Sequence, residues 1–130
     1  MPKIDLLTRA SFDLEVSIEL LALPKADEKF LDIAAYHLQQ CIEKVMKYTL
    51  AQHGVKFERT HDIEILCRQF IDAKIELPDW IFDNATLLTN YATQTRYGDS
   101  VLGVRRRLLG FHALAKELVD EQMALRDEAV

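Results

Sequence analysis

Three stretches of this 130-residue chain carry side chains suited to chemistry. The first is Thr60-His61-Asp62. If a helix starts there, the imidazole sits at a pocket edge beside backbone N–H groups that favour anions. The competing reading is structural, because Thr, His and Asp are all ordinary in a capping cluster. The second stretch is Arg96-Tyr97-Gly98-Asp99, preceded by polar Thr93, Gln94 and Thr95. Arg96 offers a planar donor fork suited to phosphate, and Tyr97 can stack on a base or donate a hydrogen bond. In this reading Asp99 orients Arg96; in the structural one, Arg96 pairs with Asp99 and Tyr97 plugs the end of a bundle. The third stretch is Arg105-Arg106-Arg107, with His112 a little further on. Arg105 and His112 are seven residues apart and share a helix face, about 10 Å along its axis. Two facing copies could bring them together, although a His beside an apolar stripe is usually a satisfied core residue. The arginines otherwise form a solvated surface that pairs with the chain's many carboxylates. No His, Cys, Asp or Glu set has metal-ligand spacing, and there is no glycine-rich phosphate loop or serine nucleophile elbow, so no cofactor is implied.

These groups must be positioned by helices, because no segment alternates with period two. Ile4, Leu7, Ser11, Leu14, Ile18 and Leu21 repeat at spacings of three and four, which predicts a helix from about Ile4 to Leu23, stopped by Pro24. Leu31, Ala34, Leu38, Cys41, Val45 and Tyr48 mark the central helix, and Gly54 supplies its natural stop. Gln39, Gln40, Glu43, Lys44 and Lys47 fall largely on its other side, where Glu43 and Lys47 form a helix-supporting i,i+4 pair. A third helix begins near Asp62 and faces inward with Ile63, Leu66, Phe70 and Ala73. Pro78 and Asp79 open a fourth, shorter helix. The last helix carries Val104, Leu108, Phe111, Ala115 and Leu118, with Leu102, Leu109, Val119 and Met123 as a second apolar set. The expected fold is all-α: an up-down helical bundle of four main helices plus a shorter one, one domain over residues 1–130.

The central stretch, Ala35-Tyr36-His37-Leu38-Gln39-Gln40-Cys41-Ile42-Glu43-Lys44 followed by Thr60-His61-Asp62-Ile63, resembles the HEPN domain family. Thr95-Arg96-Tyr97-Gly98-Asp99 resembles that family's Arg-Tyr-Pro-type motif, and the likeness spans roughly Ser11 to Val119. The resemblance implies a compact helical bundle, association with nucleotides or RNA, and pairing with a minimal nucleotidyltransferase, as in toxin–antitoxin or stress systems. His61, Arg96 and Tyr97 are expected to share one ligand site, with Asp99 orienting Arg96, because the loop leaving the central helix and the Arg-Tyr loop can lie at one end of an up-down bundle. The family's ribonuclease branch carries an Arg and a His ahead of an aromatic residue. If Tyr97 matches that aromatic, those positions fall on Asn90 and Thr95, neither of which is an acid or base near neutral pH. The expectation is therefore a non-catalytic binding protein. A metal-independent ribonuclease toxin using Arg105 and His112 across a dimer, and a plain oligomerisation module, are the alternatives.

Composition narrows the classes further. The net charge of −5 argues against broad coating of nucleic acid but leaves room for a local basic site. Residues 1–23 are broken by Asp5, Arg9, Asp13, Glu15 and Glu19, unlike a signal peptide, and no apolar run is long enough to span a bilayer. Cys41 and Cys67 read as two reduced core thiols, which suits the cytoplasm. The doubled apolar face of the last helix predicts a homodimer or higher homo-oligomer, with that helix or the first one at the interface.

Overall fold

The computed structural model describes residues 4–24, 28–93 and 100–128. Helix α1 (Leu6–Leu21) opens at Asp5, whose carboxylate accepts from the Thr8 amide at 2.8 Å. The central helix α2 (Glu28–Gln52) closes at Gly54, which takes φ 75°, a value only glycine reaches without strain. The Val55 amide then reaches back to the Leu50 carbonyl and the Gly54 amide to that of Ala51, a Schellman-type end. Helix α3 (Ile63–Ala73) is capped by Asp62 and ends in the same manner at Lys74, with φ 59°.

The fourth predicted helix is two helices, α4 (Asp79–Asp83) and α5 (Ala85–Asn90). They break at Asn84, which leaves helical geometry and donates its side-chain amide to the Trp80 carbonyl. Helix α6 (Val101–Glu128) completes the bundle. The described residues contain no strand, in keeping with an all-α fold.

Helix α1 runs against both long neighbours. Arg105, near the start of α6, donates to the Leu21 carbonyl at the end of α1 (2.7 Å), and Arg126, near the end of α6, grips Asp5 at the start of α1 (2.9 Å). Helices α2 and α6 therefore run parallel, and α2 packs against α1, α3 and α6. The core between them is built from Leu7, Leu14, Leu38, Cys41, Val45, Leu66, Phe70, Leu108 and Phe111, among others. Both cysteines are buried free thiols. Burial, with Asp13 nearby, pushes the Cys41 thiol far up; burial, with Glu64 and Asp62, raises Cys67 to about 11. Neither is a nucleophile at neutral pH.

The second apolar set of α6 divides. Val119 is buried and Met123 packs against the core, whereas Leu102 and Leu109 stay exposed.

Candidate functional site at the corner of α2 and α3

The polar side of α2 is not a solvated face. Gln39 and Glu43 are buried, because the segment leading into α3 folds over them. That segment is held in place by Gln69 of α3, which accepts from the Glu58 amide (3.0 Å) and donates to the Lys56 carbonyl (3.1 Å).

Glu43 is the hub. Its side chain is only 4% exposed, and its two oxygens meet three donors: Lys47 Nζ at 3.1 Å, Gln39 Nε2 at 3.2 Å and His61 Nδ1 at 2.8 Å. Gln39 Nε2 also donates to the His61 carbonyl (3.2 Å), so ring and backbone of His61 are tied to the same wall. Lys47 lies over the Phe57 ring, 5.6 Å from its centroid. A buried carboxylate needs such donors, since an unpaired one costs several kcal/mol. The result is an imidazole fixed through Nδ1 while its side chain remains 78% exposed. With Nδ1 committed to the carboxylate, Nε2 is the nitrogen left for a ligand.

The α3 start itself offers little to an anion. The Asp62 amide donates to Thr60 Oγ1, that of Ile63 to Thr89 Oγ1, and that of Glu64 to Asp62 Oδ1. The cap is filled by the protein's own oxygens, and the carboxylates of Asp62 and Glu64 stand beside it; Glu64 in turn accepts from the Thr86 hydroxyl. The capping reading of Thr60 and Asp62 thus describes the helix start, and the His61 ring is the group that faces outward.

Of the four residues expected in a ligand site, His61 lies among the described residues. Arg96, Tyr97 and Asp99 lie outside them, as does Thr95. The chain entering that segment is close to His61 nonetheless: Thr89, in the last turn of α5, accepts from Ile63, two residues past His61.

Arg105 and His112 are both engaged with α1 within one protomer. Arg105 spends a guanidinium nitrogen on the Leu21 carbonyl. His112 is half-buried and bonds the Leu14 carbonyl; burial holds its pKa below the usual histidine value, the Leu14 bond works the other way, and Lys116 adds to the lowering.

A second polar cluster joins α1 to α2. Asp13 receives Lys44 Nζ at 2.5 Å and His37 Nδ1 at 2.9 Å. Nothing in the spacing of Glu43 or Asp13 marks them as hubs. The one available signal was a carboxylate within reach of several donors on the least apolar side of the most central helix.

Fold and corner together define a helical-bundle domain with an oriented histidine at one end. The chain belongs to the HEPN domain family, whose profile matches residues 4–124. Membership points to a nucleotide- or RNA-related function. Searches against curated proteins and against solved structures returned no match. Among the described residues, no helix is long and apolar enough to cross a membrane, and no group of three or more His, Cys, Asp or Glu could hold a metal ion.

Proposed function

We propose that this HEPN domain binds a nucleotide or short RNA at the α2–α3 corner without cutting it, and acts in the cytoplasm beside a minimal nucleotidyltransferase. The observation that carries the reading is the His61 ring, set by buried Glu43 and presented to solvent. A fixed imidazole can meet a phosphate oxygen or a base edge at little entropic cost, because its rotamer is already chosen. Arg96 and Tyr97 complete the site in this reading. They follow α5 by a few residues, and Thr93 lies four residues past Thr89, within reach of the corner. Arg96 supplies the phosphate fork and Tyr97 a stacking surface.

Absence of cleavage rests on Asn90 and Thr95, which stand where the nuclease branch of the family has Arg and His. Without a proton acceptor there, attack by a 2′-hydroxyl loses help worth about 10²–10⁴ in rate. The engagement of Arg105 and His112 with α1 carbonyls supports a structural role for that pair.

The test is a binding titration of labelled short RNA and of a nucleotide, run beside a cleavage assay. Binding should weaken as salt rises. His61→Ala and Arg96→Ala should each reduce it more than Arg106→Ala, and the two effects should be non-additive if one ligand touches both. Cleavage that disappears in His112→Ala would install the ribonuclease alternative instead.

A further inference from the structure

The groups behind His61 fix which kind of hydrogen bond its ring offers. Glu43 is almost fully buried and, with the Lys47 ammonium at 3.1 Å, meets its neighbours as a carboxylate, which can only accept. Its other oxygen takes Gln39 Nε2 at 3.2 Å and His61 Nδ1 at 2.8 Å. Nδ1 must therefore carry the hydrogen. Lys47 already balances the Glu43 charge, so no second cation is needed there, and the neutral imidazole keeps its lone pair on Nε2. Gln39 cannot turn round to offer the ring an oxygen instead. Its Nε2 also donates to the His61 carbonyl at 3.2 Å, and its Oε1 accepts from Gln40 Nε2 at 2.7 Å. A directed chain of side chains thus leaves the exposed nitrogen as an acceptor. The helix start beside it has no donors to spare for an anion, because the amides of Asp62, Ile63 and Glu64 are bonded to Thr60, Thr89 and Asp62 oxygens.

We infer that Nε2 of His61 accepts a hydrogen bond from a donor group of the nucleoside, a ribose hydroxyl or a base N–H, and makes no contact with phosphate. The inference rests on the reading of this corner as a nucleotide site and narrows what the ring recognises there. Ionised phosphate oxygens are themselves acceptors, so a phosphate at Nε2 would set lone pair against lone pair, with the Asp62 and Glu64 carboxylates close by. A hydroxyl or N–H brings a hydrogen to the same point and is indifferent to the missing helix-start donors. Glu43 is a positioning residue in this scheme: it acts on the ligand through the tautomer it imposes on His61.

The test has two parts, both run at pH 8, above the ordinary histidine range. In the free protein, proton–nitrogen NMR of the imidazoles should show His61 with a bare Nε2 and a protonated Nδ1. Glu43→Gln should reverse this, because the new amide gives its oxygen to the Lys47 ammonium and turns its NH₂ to Nδ1. The four ribonucleoside 5′-monophosphates are then titrated. The tightest binder is compared with its 2′,3′-dideoxy analogue, with an analogue lacking the donor on the base edge, and with the parent nucleoside. Deleting the recognised donor should weaken binding about three- to tenfold, the worth of one net hydrogen bond, and the analogue affected tells hydroxyl from base. That penalty should disappear in Glu43→Gln and in His61→Phe, which keeps a ring but no acceptor, whereas the penalty for removing phosphate should persist in both. A bare Nδ1 in the unaltered protein overturns the inference. So does a donor penalty that survives in His61→Phe, or a phosphate penalty that vanishes there. Equal binding of the donor-deleted analogues overturns it while leaving the nucleotide site standing; no nucleotide binding at all removes site and inference together.

Discussion

Glu43 is where the residue scale matters most. It is a carboxylate with almost no exposure, balanced by Lys47, Gln39 and His61. Removing it leaves a largely buried ammonium and a buried amide without their acceptor. Glu43→Ala should therefore cost about 2–4 kcal/mol in denaturant unfolding, at the lower edge of what breaking a buried pair costs because His61 can turn to water. A change under about 0.5 kcal/mol would mean the hub is solvated in solution. His112 makes a second prediction, through pH. Burial lowers its pKa in the folded protein below the 6.5 of an unperturbed histidine. The folded state then binds fewer protons than the unfolded one in the window just beneath 6.5, so this contribution to stability is intact above that value and lost as pH falls through it. Melting temperature should drop on acidification across that window, and His112→Gln should flatten the drop while lowering stability at neutral pH through loss of the bond to Leu14. A drop of the same size in the variant would assign it to other groups.

The elements are ended by two related devices of unequal quality. Gly54 takes a left-handed conformation at no steric cost, whereas Lys74 takes nearly the same conformation with a side chain attached. Its amide bonds the Ile71 carbonyl and the Ile75 amide reaches Phe70, so the turn is held by the chain rather than chosen by the residue. Lys74→Gly should stabilise the protein by about 1 kcal/mol, the usual cost of left-handed backbone outside glycine. The same change at Ala73, inside α3, should instead destabilise it by a comparable amount. Thermal melts of the two variants should move in opposite directions. Helix α6 also shows how an element divides its labour. Leu108, Phe111, Ala115 and Leu118 serve the core, Arg105 and Arg126 clamp the two ends of α1, and Leu102 and Leu109 are left outside.

At the scale of the whole molecule, several large apolar side chains stand exposed on α1 and α2. Phe12 and Val16 on α1 and Ile33 and Tyr36 on α2 are all exposed. Tyr36 packs edge-on against His37 of the Asp13–His37–Lys44 bridge, with ring centroids 5.3 Å apart. A second copy could cover this face without burying an unpaired charge, because the bridge already neutralises Asp13. We expect a homodimer with α1 in its interface, and expect Phe12→Glu to shift it toward monomer. Light scattering at tens of micromolar decides: a monomeric mass for the unaltered protein would defeat this expectation, and a dimer insensitive to Phe12→Glu would move the interface to Leu102 and Leu109 on α6.

Spacing and local chemistry in the sequence were enough to determine the long helices, their all-α packing, the stop at Gly54, a helix start capped by Thr60 or Asp62, two core thiols and the motifs of the HEPN family. Each follows from interactions within a few residues, or from a single apolar stripe, which is what a linear pattern records. The break at Asn84 escaped because a continuous apolar pattern runs through it, and only the loss of helical geometry there separates α4 from α5. The standing of α2's polar side was settled by tertiary structure alone. A stripe marks one buried face, but α2 packs against α1, α3 and α6, and the cover over Gln39 and Glu43 comes from residues about twenty positions later. Polar side chains can be enclosed when distant partners satisfy them, and periodicity carries no trace of those partners. The same reason explains Arg105 and His112. They share a helix face in the sequence, as a catalytic pair would, yet their partners are carbonyls of α1, which only the fold brings within reach.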